Sequence, residues 1–424
     1  MKPEVTNRRA KAKSSDKPAG SAAVALKVSL TNLVFLMVGM GLMALLGIFT
    51  PALRSRHEPG SGAGRAPASA PGPWGELEFT RLTLEEPDDH LPDSTRKLET
   101  ARWYFERATP AILESLFRSI DAPASIQALL LDTNRWKIAP DGIVVQPTRE
   151  LLLGLGSPAR QRIYSILDQS ELNPAHHDPF RFRADGFDEW FARRGLSQEK
   201  LKLLRSLTFT NRGGALCLVD IDVLQQTFTP AEFHQVFQSL YSEPSLQMFV
   251  HVRPDSDIEA LVSYWGRGGR EGHIRPLLKS LARTPDGGSI NVSYLLPPFA
   301  HLRLYTFDNA PTHSVIGQDC FFTALNFFND RPDPRLAEQA YALALLNQNY
   351  SETTESRRYG DVLILLDEKR KTVHACVFIA DDVVFTKNGA DELQPWVLMK
   401  IPDMLAHYAT ERTATLVTMR PKRP

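Results

Sequence analysis

The chain has 424 residues, of which 43% are apolar and 9% aromatic, and its 49 basic side chains balance 49 acidic ones. This length and composition predict a folded protein of two or three domains and exclude a largely disordered chain. No Lys/Arg cluster follows the N-terminus, so a nucleic-acid partner is not expected. Three cysteines, none in Cys-x-x-Cys spacing, exclude a disulfide scaffold and a structural zinc site, and we expect no cofactor or metal.

The N-terminal segment has the pattern of a membrane anchor. Residues 1–27 carry seven basic and two acidic side chains, and residues 28–53 carry no charge. As a helix, the uncharged run is about 39 Å long, against about 30 Å for the hydrocarbon core of a bilayer. We therefore predict a basic cytoplasmic tail over 1–27 and a transmembrane helix over 28–53, with a cleaved signal peptide as the alternative. The predicted location is the inner (cytoplasmic) membrane, single-pass, with the bulk extracytoplasmic.

Residues 54–74 are rich in glycine, proline and alanine and predict a flexible linker. Residues 75–310 then predict a mixed α/β domain whose role the sequence does not indicate. Thr229 and Glu232 have capping-box spacing, which marks a helix start, and apolar periodicity between residues 98 and 105 predicts another helix. Four short apolar runs predict strands: 215–221, 246–252, 290–296 and 302–307.

Asp220 and Asp222 lie at the end of the first of these runs. Two residues apart on a strand, both carboxylates would project from one face. They are candidates for an acidic catalytic pair or for ligands of a divalent metal. A solvated strand end is the simpler interpretation.

The segment from 311 to 424 contains the residues best suited to catalysis. Asp319 is placed to cap a helix that begins at Cys320, and Gly360-Asp361 precedes an apolar strand. His374 lies at the start of the next strand, and a turn leads to a third strand that ends near Thr386 and Asn388.

A cysteine at a helix start and a histidine on a neighbouring strand are the two parts of a thiol nucleophile. The thiolate is the reactive species, and an imidazole that takes its proton activates it. We therefore predict that Cys320 is a nucleophile, that His374 is its general base, and that backbone amides at the helix start stabilise an oxyanion. In the alternative interpretation, Cys320 is a small buried apolar residue and His374 a hydrogen-bonded core histidine. Cys376 shares the strand face of His374 and is expected to fill core space.

The order of Asp-Cys at a helix start, Gly-Asp before a strand, and histidine on the next strand resembles the NlpC-type cell-wall peptidases of the papain-like superfamily. The resemblance covers roughly the last 110 residues. It implies a papain-like domain over 311–424, with a helix packed on an antiparallel sheet. It also implies the roles of nucleophile for Cys320 and base for His374. The third, orienting residue is then Thr386 by hairpin position or Asn388 by chemistry.

Together these patterns predict an α+β protein: one transmembrane helix, a mixed α/β middle domain and an NlpC-like domain. The expected activity is that of a membrane-anchored cysteine peptidase or amidase acting on peptide or peptidoglycan. The alternative is a catalytically inactive papain-like scaffold at the cell envelope, which is favoured by Phe321 where the family usually has serine. The oligomeric state is not indicated.

Overall fold

The computed structural model describes residues 71–86, 96–184, 186–191, 195–307, 318–390, 394–408 and 414–422. The predicted basic tail (1–27), the predicted transmembrane helix (28–53) and most of the linker (54–74) lie outside these residues. Within them, no helix combines the length and apolar character needed to cross a membrane. The fold is α+β, and the strands of its sheets pair antiparallel.

The described residues form strands and helices that alternate irregularly along the chain. The strands are β1 Glu76–Leu84, β2 Trp103–Glu106, β3 Trp136–Ala139, β4 Gly142–Val145, β5 Phe180–Phe182, β6 Phe209–Thr210, β7 Leu216–Leu218, β8 Glu243–Val252, β9 Gly288–Asn291, β10 Tyr350–Thr353, β11 Val362–Leu366, β12 Thr372–Ala380, β13 Val383–Lys387, β14 Trp396–Lys400 and β15 Thr415–Pro421. The helices are α1 Pro110–Arg118, α2 Ala124–Leu130, α3 Arg149–Gly154, α4 Ser157–Leu167, α5 Pro174–His177, α6 Phe187–Phe191, α7 Gln198–Ser206, α8 Ile221–Thr227, α9 Pro230–Leu240, α10 Ile258–Trp265, α11 Glu271–Ala282, α12 Pro298–Arg303, α13 Cys320–Leu325, α14 Gln339–Asn349 and α15 Ile401–His407.

The largest sheet has six strands in the order β10-β15-β11-β12-β13-β14. The short helix α13 packs against β12 and β13 on one face. All five side chains of β11 and of β13 are buried, because both faces of the sheet are covered. A strand that is buried on both faces has a continuous apolar sequence rather than an alternating one, as β11 does.

A second sheet, β1-β8-β9, shares its core with the first. Leu77 of β1 and Val250 of β8 belong to the same buried cluster as Cys320 and Val377. Ser245 at the start of β8 also links the sheets, because its hydroxyl donates to the carbonyl of Leu398 at 3.2 Å. Residues on both sides of the expected domain boundary at 310 and 311 therefore share one core.

A separate core is built from the chain between β1 and β8. This segment leaves the second sheet after Leu84 and returns at Glu243, and those two residues pair in the β1–β8 ladder. It contains two small sheets, β2-β4-β3 and β5-β7-β6, and helices α1 to α9. Residues 75–310, which we expected to form one domain, thus divide between two cores.

The local sequence predictions for residues 75–310 are partly confirmed and partly wrong. The capping box is confirmed, since Thr229 and Glu232 each bond the other's backbone N–H at the start of α9. The helix predicted between residues 98 and 105 is wrong, because Trp103–Glu106 is a strand whose buried Trp103 and Phe105 alternate with more exposed neighbours. The strand predicted over 302–307 is also wrong, because its first two residues end α12.

The predicted linker ends inside the fold. Trp74, its last residue, accepts a hydrogen bond from the indole N–H of Trp265 at its carbonyl oxygen, at 3.0 Å. Its own ring lies 5.9 Å from that of Tyr264. Aromatic pairs in this edge-to-face arrangement stabilise a core beyond their buried area, so Trp74 belongs to the folded part.

Candidate functional site

Cys320 begins α13, as the sequence predicts. Asp319 caps the helix by accepting the backbone N–H of Phe322 at 2.8 Å. Cys320 is 7% exposed, and its helix packs on β12, where the backbone N–H of Ala375 is near enough to the sulfur to lower the pKa of the thiol. The sulfur therefore lies beside the residue that follows His374.

His374 is fully buried and holds one defined hydrogen bond. Its Nε2 lies 2.8 Å from Oγ1 of Thr386. The Thr386 hydroxyl in turn donates to Oδ1 of Asn388 at 3.4 Å, so its oxygen accepts from the imidazole. This assigns the proton of the neutral ring to Nε2 and leaves Nδ1 as an acceptor. Nδ1 is buried and has no hydrogen-bond partner among the residues that the structure describes.

The two candidates for the third residue both belong to this hydrogen-bonded chain. Thr386 contacts the imidazole directly, and Asn388 contacts Thr386. Pairing of β12 with β13 runs from Ala380 only as far as Val377. His374 and Thr386 lie beyond that last pair, so their side chains connect the strands there in place of the backbone.

The chain of bonds continues to Glu243 on β8. The amide Nδ2 of Asn388 donates to Oε1 of Glu243 at 2.6 Å, and it also approaches Sδ of Met399 at 3.7 Å. Both Asn388 and Glu243 are 5% exposed. A buried amide N–H group needs a hydrogen-bond acceptor, and Glu243 supplies it for Asn388.

The Cys320 thiol and the His374 imidazole lie on opposite faces of β12. Successive side chains of a strand point to opposite faces. Ala375 packs in the same core as Cys320, whereas Cys376 belongs to a separate cluster on the other face. His374 shares the face of Cys376, and its ring stacks on Tyr408 with the centroids 4.1 Å apart. No hydrogen bond between described residues joins the sulfur of Cys320 to the imidazole.

Burial keeps both groups neutral in this arrangement. Burial and, to a smaller extent, the Asp319 carboxylate raise the pKa of the Cys320 thiol, and backbone N–H groups of Ala375, Phe321 and Cys320 itself oppose the shift, so that the pKa is about 12. Burial also lowers the pKa of His374 well below its usual value, with nearby His407 adding to the effect. Desolvation disfavours the charged form of each group.

Glu243 lies at the edge of a pocket. This pocket lies on one side of the sheet, is partly open to solvent and has a cavity volume of about 80 Å³. Burial raises the pKa of the Glu243 carboxyl to about 7, and the bond from Asn388 opposes that shift. The charged and titratable side chains that line the pocket are Arg81, Arg181, Arg183, Glu243, Asp403 and His407.

Cys376 is fully buried, and burial raises its pKa above the ordinary range of a thiol. It packs with Leu363 and Phe378, as a core-filling residue does. Cys217 is likewise buried in the other core. These two thiols serve as internal references for the reactivity of Cys320.

Asp220 and Asp222 are held by different partners, although the charge of Asp222 contributes to the raised pKa of Asp220. Asp220 is buried and forms an ion pair with Arg160, and it also accepts the Tyr164 hydroxyl at 2.9 Å. Asp222 lies in the first turn of α8 and accepts the backbone N–H of Ala101 at 3.1 Å. No group of three metal-ligating side chains occurs in the part of the chain that the structure describes.

Comparison of the chain with family models, curated proteins and solved structures finds no match. The chemistry of the site is therefore inferred from its residues. Two of them, Glu243 and Tyr408, have no signal in the sequence. Glu243 lies 145 residues from its partner Asn388, and only the return of the chain into β8 brings them together.

Proposed function

We propose that this protein is a cysteine-dependent amide hydrolase, a peptidase or amidase with Cys320 as nucleophile and His374 as base. One observation carries the proposal. The imidazole donates through Nε2 to Thr386, which leaves Nδ1 to take a proton, and the backbone N–H of the next residue, Ala375, is near enough to the sulfur to lower the pKa of the thiol. A thiol nucleophile needs a base whose other nitrogen is held by a third group.

The reaction uses these atoms in order. Nδ1 of His374 takes the thiol proton, and the thiolate attacks an amide carbonyl while the backbone N–H groups near the sulfur stabilise the oxyanion. The imidazolium then protonates the leaving amine, a thioester remains on Cys320, and water hydrolyses it. Because the imidazole and the thiol lie on opposite faces of β12 in this structure, the reaction requires a rearrangement at the start of β12 that brings Nδ1 to the sulfur.

The substrate and location are proposed from the sequence patterns. The resemblance to NlpC-type peptidases favours a cell-wall peptide. The uncharged segment over 28–53, with basic residues before it, favours a single-pass anchor in the cytoplasmic membrane with the site outside. The six-stranded antiparallel sheet with α13 on one face is compatible with a papain-like domain.

The hydrolase function predicts that Cys320→Ala abolishes activity. With purified muropeptides as substrate, we expect the rate to fall at least about 100-fold, because the nucleophile is removed. Cys376→Ala is the matched control, since it removes a buried thiol of the same strand face as His374, and it should keep most of the activity. If the wild type hydrolyses muropeptides and Cys320→Ala does so at the same rate, Cys320 is not the nucleophile.

A second candidate is a papain-like binding or scaffold protein without catalysis. It is favoured by the buried, protonated state of Cys320 and by Tyr408 stacked on His374. A scaffold has no need for a thiolate, and Phe321 after the cysteine fits the buried face of α13.

Alkylation of the native protein separates the two candidates. An activated Cys320 reacts with iodoacetamide faster than a model thiol at pH 7, because imidazole holds it as thiolate. An unactivated thiol with the pKa of the resting structure reacts at least about 10-fold more slowly than the model thiol. The rate is measured by mass spectrometry of the peptide that carries Cys320, with Cys217 as the buried internal reference. Slow labelling at neutral pH would favour the scaffold.

A further inference from the structure

A continuous hydrogen-bonded chain leads from the imidazole of His374 to the carboxyl group of Glu243. Its three bonds are 2.8 Å from Nε2 to Thr386, 3.4 Å from Thr386 to Asn388, and 2.6 Å from Asn388 to Glu243. All four side chains are at most 5% exposed. Water therefore does not compete for these groups, and each bond depends on the next for its partner.

We propose that Glu243 is a positioning residue of the site, which fixes the tautomer of His374 through Asn388 and Thr386. The proposal rests on the proposed hydrolase function, because the tautomer matters only if Nδ1 accepts a proton. Glu243 itself contacts neither the thiol nor the imidazole, so it acts only through the other two side chains.

The proposal depends on which group donates and which accepts in each of the three hydrogen bonds. Oε1 of Glu243 accepts a hydrogen bond from the NH₂ of Asn388, which either a carboxylate oxygen or the carbonyl oxygen of a neutral carboxyl group can do, and the amide oxygen of Asn388 is then turned towards Thr386. That oxygen takes the Thr386 proton, and Thr386 takes the proton on Nε2. Nδ1 is thereby left without a proton, as the base of a thiol–imidazole pair requires.

Without an acceptor at position 243 the amide is free to rotate. The NH₂ of Asn388 also approaches the thioether of Met399 at 3.7 Å, but a thioether is only a weak acceptor. A rotated Asn388 would donate its N–H to Thr386, and the Thr386 hydroxyl would then donate to Nε2. The proton would move to Nδ1, and His374 could no longer take the proton of Cys320.

The fold holds Glu243 in place from two sides. It pairs with Leu84 at the point where the chain returns from the separate core into β8. Glu243 also lines the solvent-connected pocket, together with Arg81, Arg181, Arg183, Asp403 and His407. It is near enough to Tyr408 to contribute to the raised pKa of that phenol.

The test uses two variants of similar volume in the full chain. Glu243→Met removes the acceptor, and Glu243→Gln keeps a carbonyl acceptor. The tautomer of His374 is read from the chemical shifts of its two ring nitrogens by NMR of protein with labelled histidine, and a His374→Gln sample identifies the signals. Asp403→Asn, which changes another carboxyl group of the pocket outside the chain of bonds, is the matched control, and circular dichroism checks the fold of each variant.

We expect Glu243→Met to move the ring proton from Nε2 to Nδ1 and to slow alkylation of Cys320 at least about 10-fold, since the wrong tautomer disables a histidine base. Glu243→Gln and Asp403→Asn should keep the wild-type tautomer. A folded Glu243→Met that retains the proton on Nε2 would overturn the proposal. The NMR result does not depend on hydrolysis, so a wild-type protein with an unreactive Cys320 would count against the hydrolase function alone.

Discussion

Arg160→Met should be among the most destabilising single changes in this protein, by about 3–5 kcal/mol. The guanidinium and its partner Asp220 are both almost fully buried, and Arg160 also donates to the Tyr164 hydroxyl at 3.2 Å. Burial raises the pKa of Asp220, and the positive charge of Arg160 opposes that shift. Removing only the cation leaves a buried carboxylate that keeps the neutral Tyr164 hydroxyl as a partner but has lost its opposite charge, which is the costly way to break such a pair.

The effect is measured by urea unfolding monitored by tryptophan fluorescence, because Trp103 lies in the same core with its ring 5.9 Å from that of Tyr164. The double variant Arg160→Met with Asp220→Asn should recover part of the loss, since the unpaired charge is gone. Arg118→Gln is the control, because its ion pair with Glu114 is on the surface, with side chains 64% and 49% exposed, and should cost less than about 1 kcal/mol. Equal losses in Arg160→Met and Arg118→Gln would contradict the prediction.

Glu243→Gln should stabilise the protein at alkaline pH and leave it nearly unchanged near pH 4. Burial raises the pKa of this carboxyl group from 4.5 to about 7. Between these values the unfolded chain releases the proton and the folded chain retains it, so the wild type loses stability as pH rises. Glutamine remains neutral, and the difference should grow through this window to about 3 kcal/mol above pH 7.

This prediction is checked by urea unfolding of both proteins at several pH values between 4 and 8. The quantity of interest is the difference between the two unfolding free energies, because other titrating groups contribute equally to both curves. Parallel curves would mean that Glu243 ionises as freely in the folded protein as in the unfolded chain. A variant that is less stable at pH 8 would contradict the sign of the linkage.

Much of the local structure around the candidate site can be predicted because its causes are local. The carboxylate of Asp319 caps the backbone three residues away, so it fixes the start of α13 and places Cys320 there. The apolar runs of β11, β12 and β13 are separated by polar turns, and the structure has strands at each. The capping box of Thr229 and Glu232 is equally local and was predicted for the same reason.

Elements whose pattern is weak were decided by packing. The segment around Trp103 has apolar residues at spacings compatible with a helix, yet it becomes a strand because β4 offers backbone partners and its aromatic rings fill the core of the chain between β1 and β8. Tertiary contacts override propensity in short elements of this kind.

By itself the sequence determined the order of the site: a capped helix that begins at Cys320, then strands that carry His374 and Thr386, because caps, turns and apolar runs act within a few residues. Only the tertiary structure decided which partners these side chains have. In the tertiary structure the imidazole of His374 bonds to Thr386 rather than to Asn388, and Glu243 bonds to Asn388. His374 and Cys320 lie on different faces of β12. Such choices depend on side-chain directions and on contacts between distant segments, which no local pattern records.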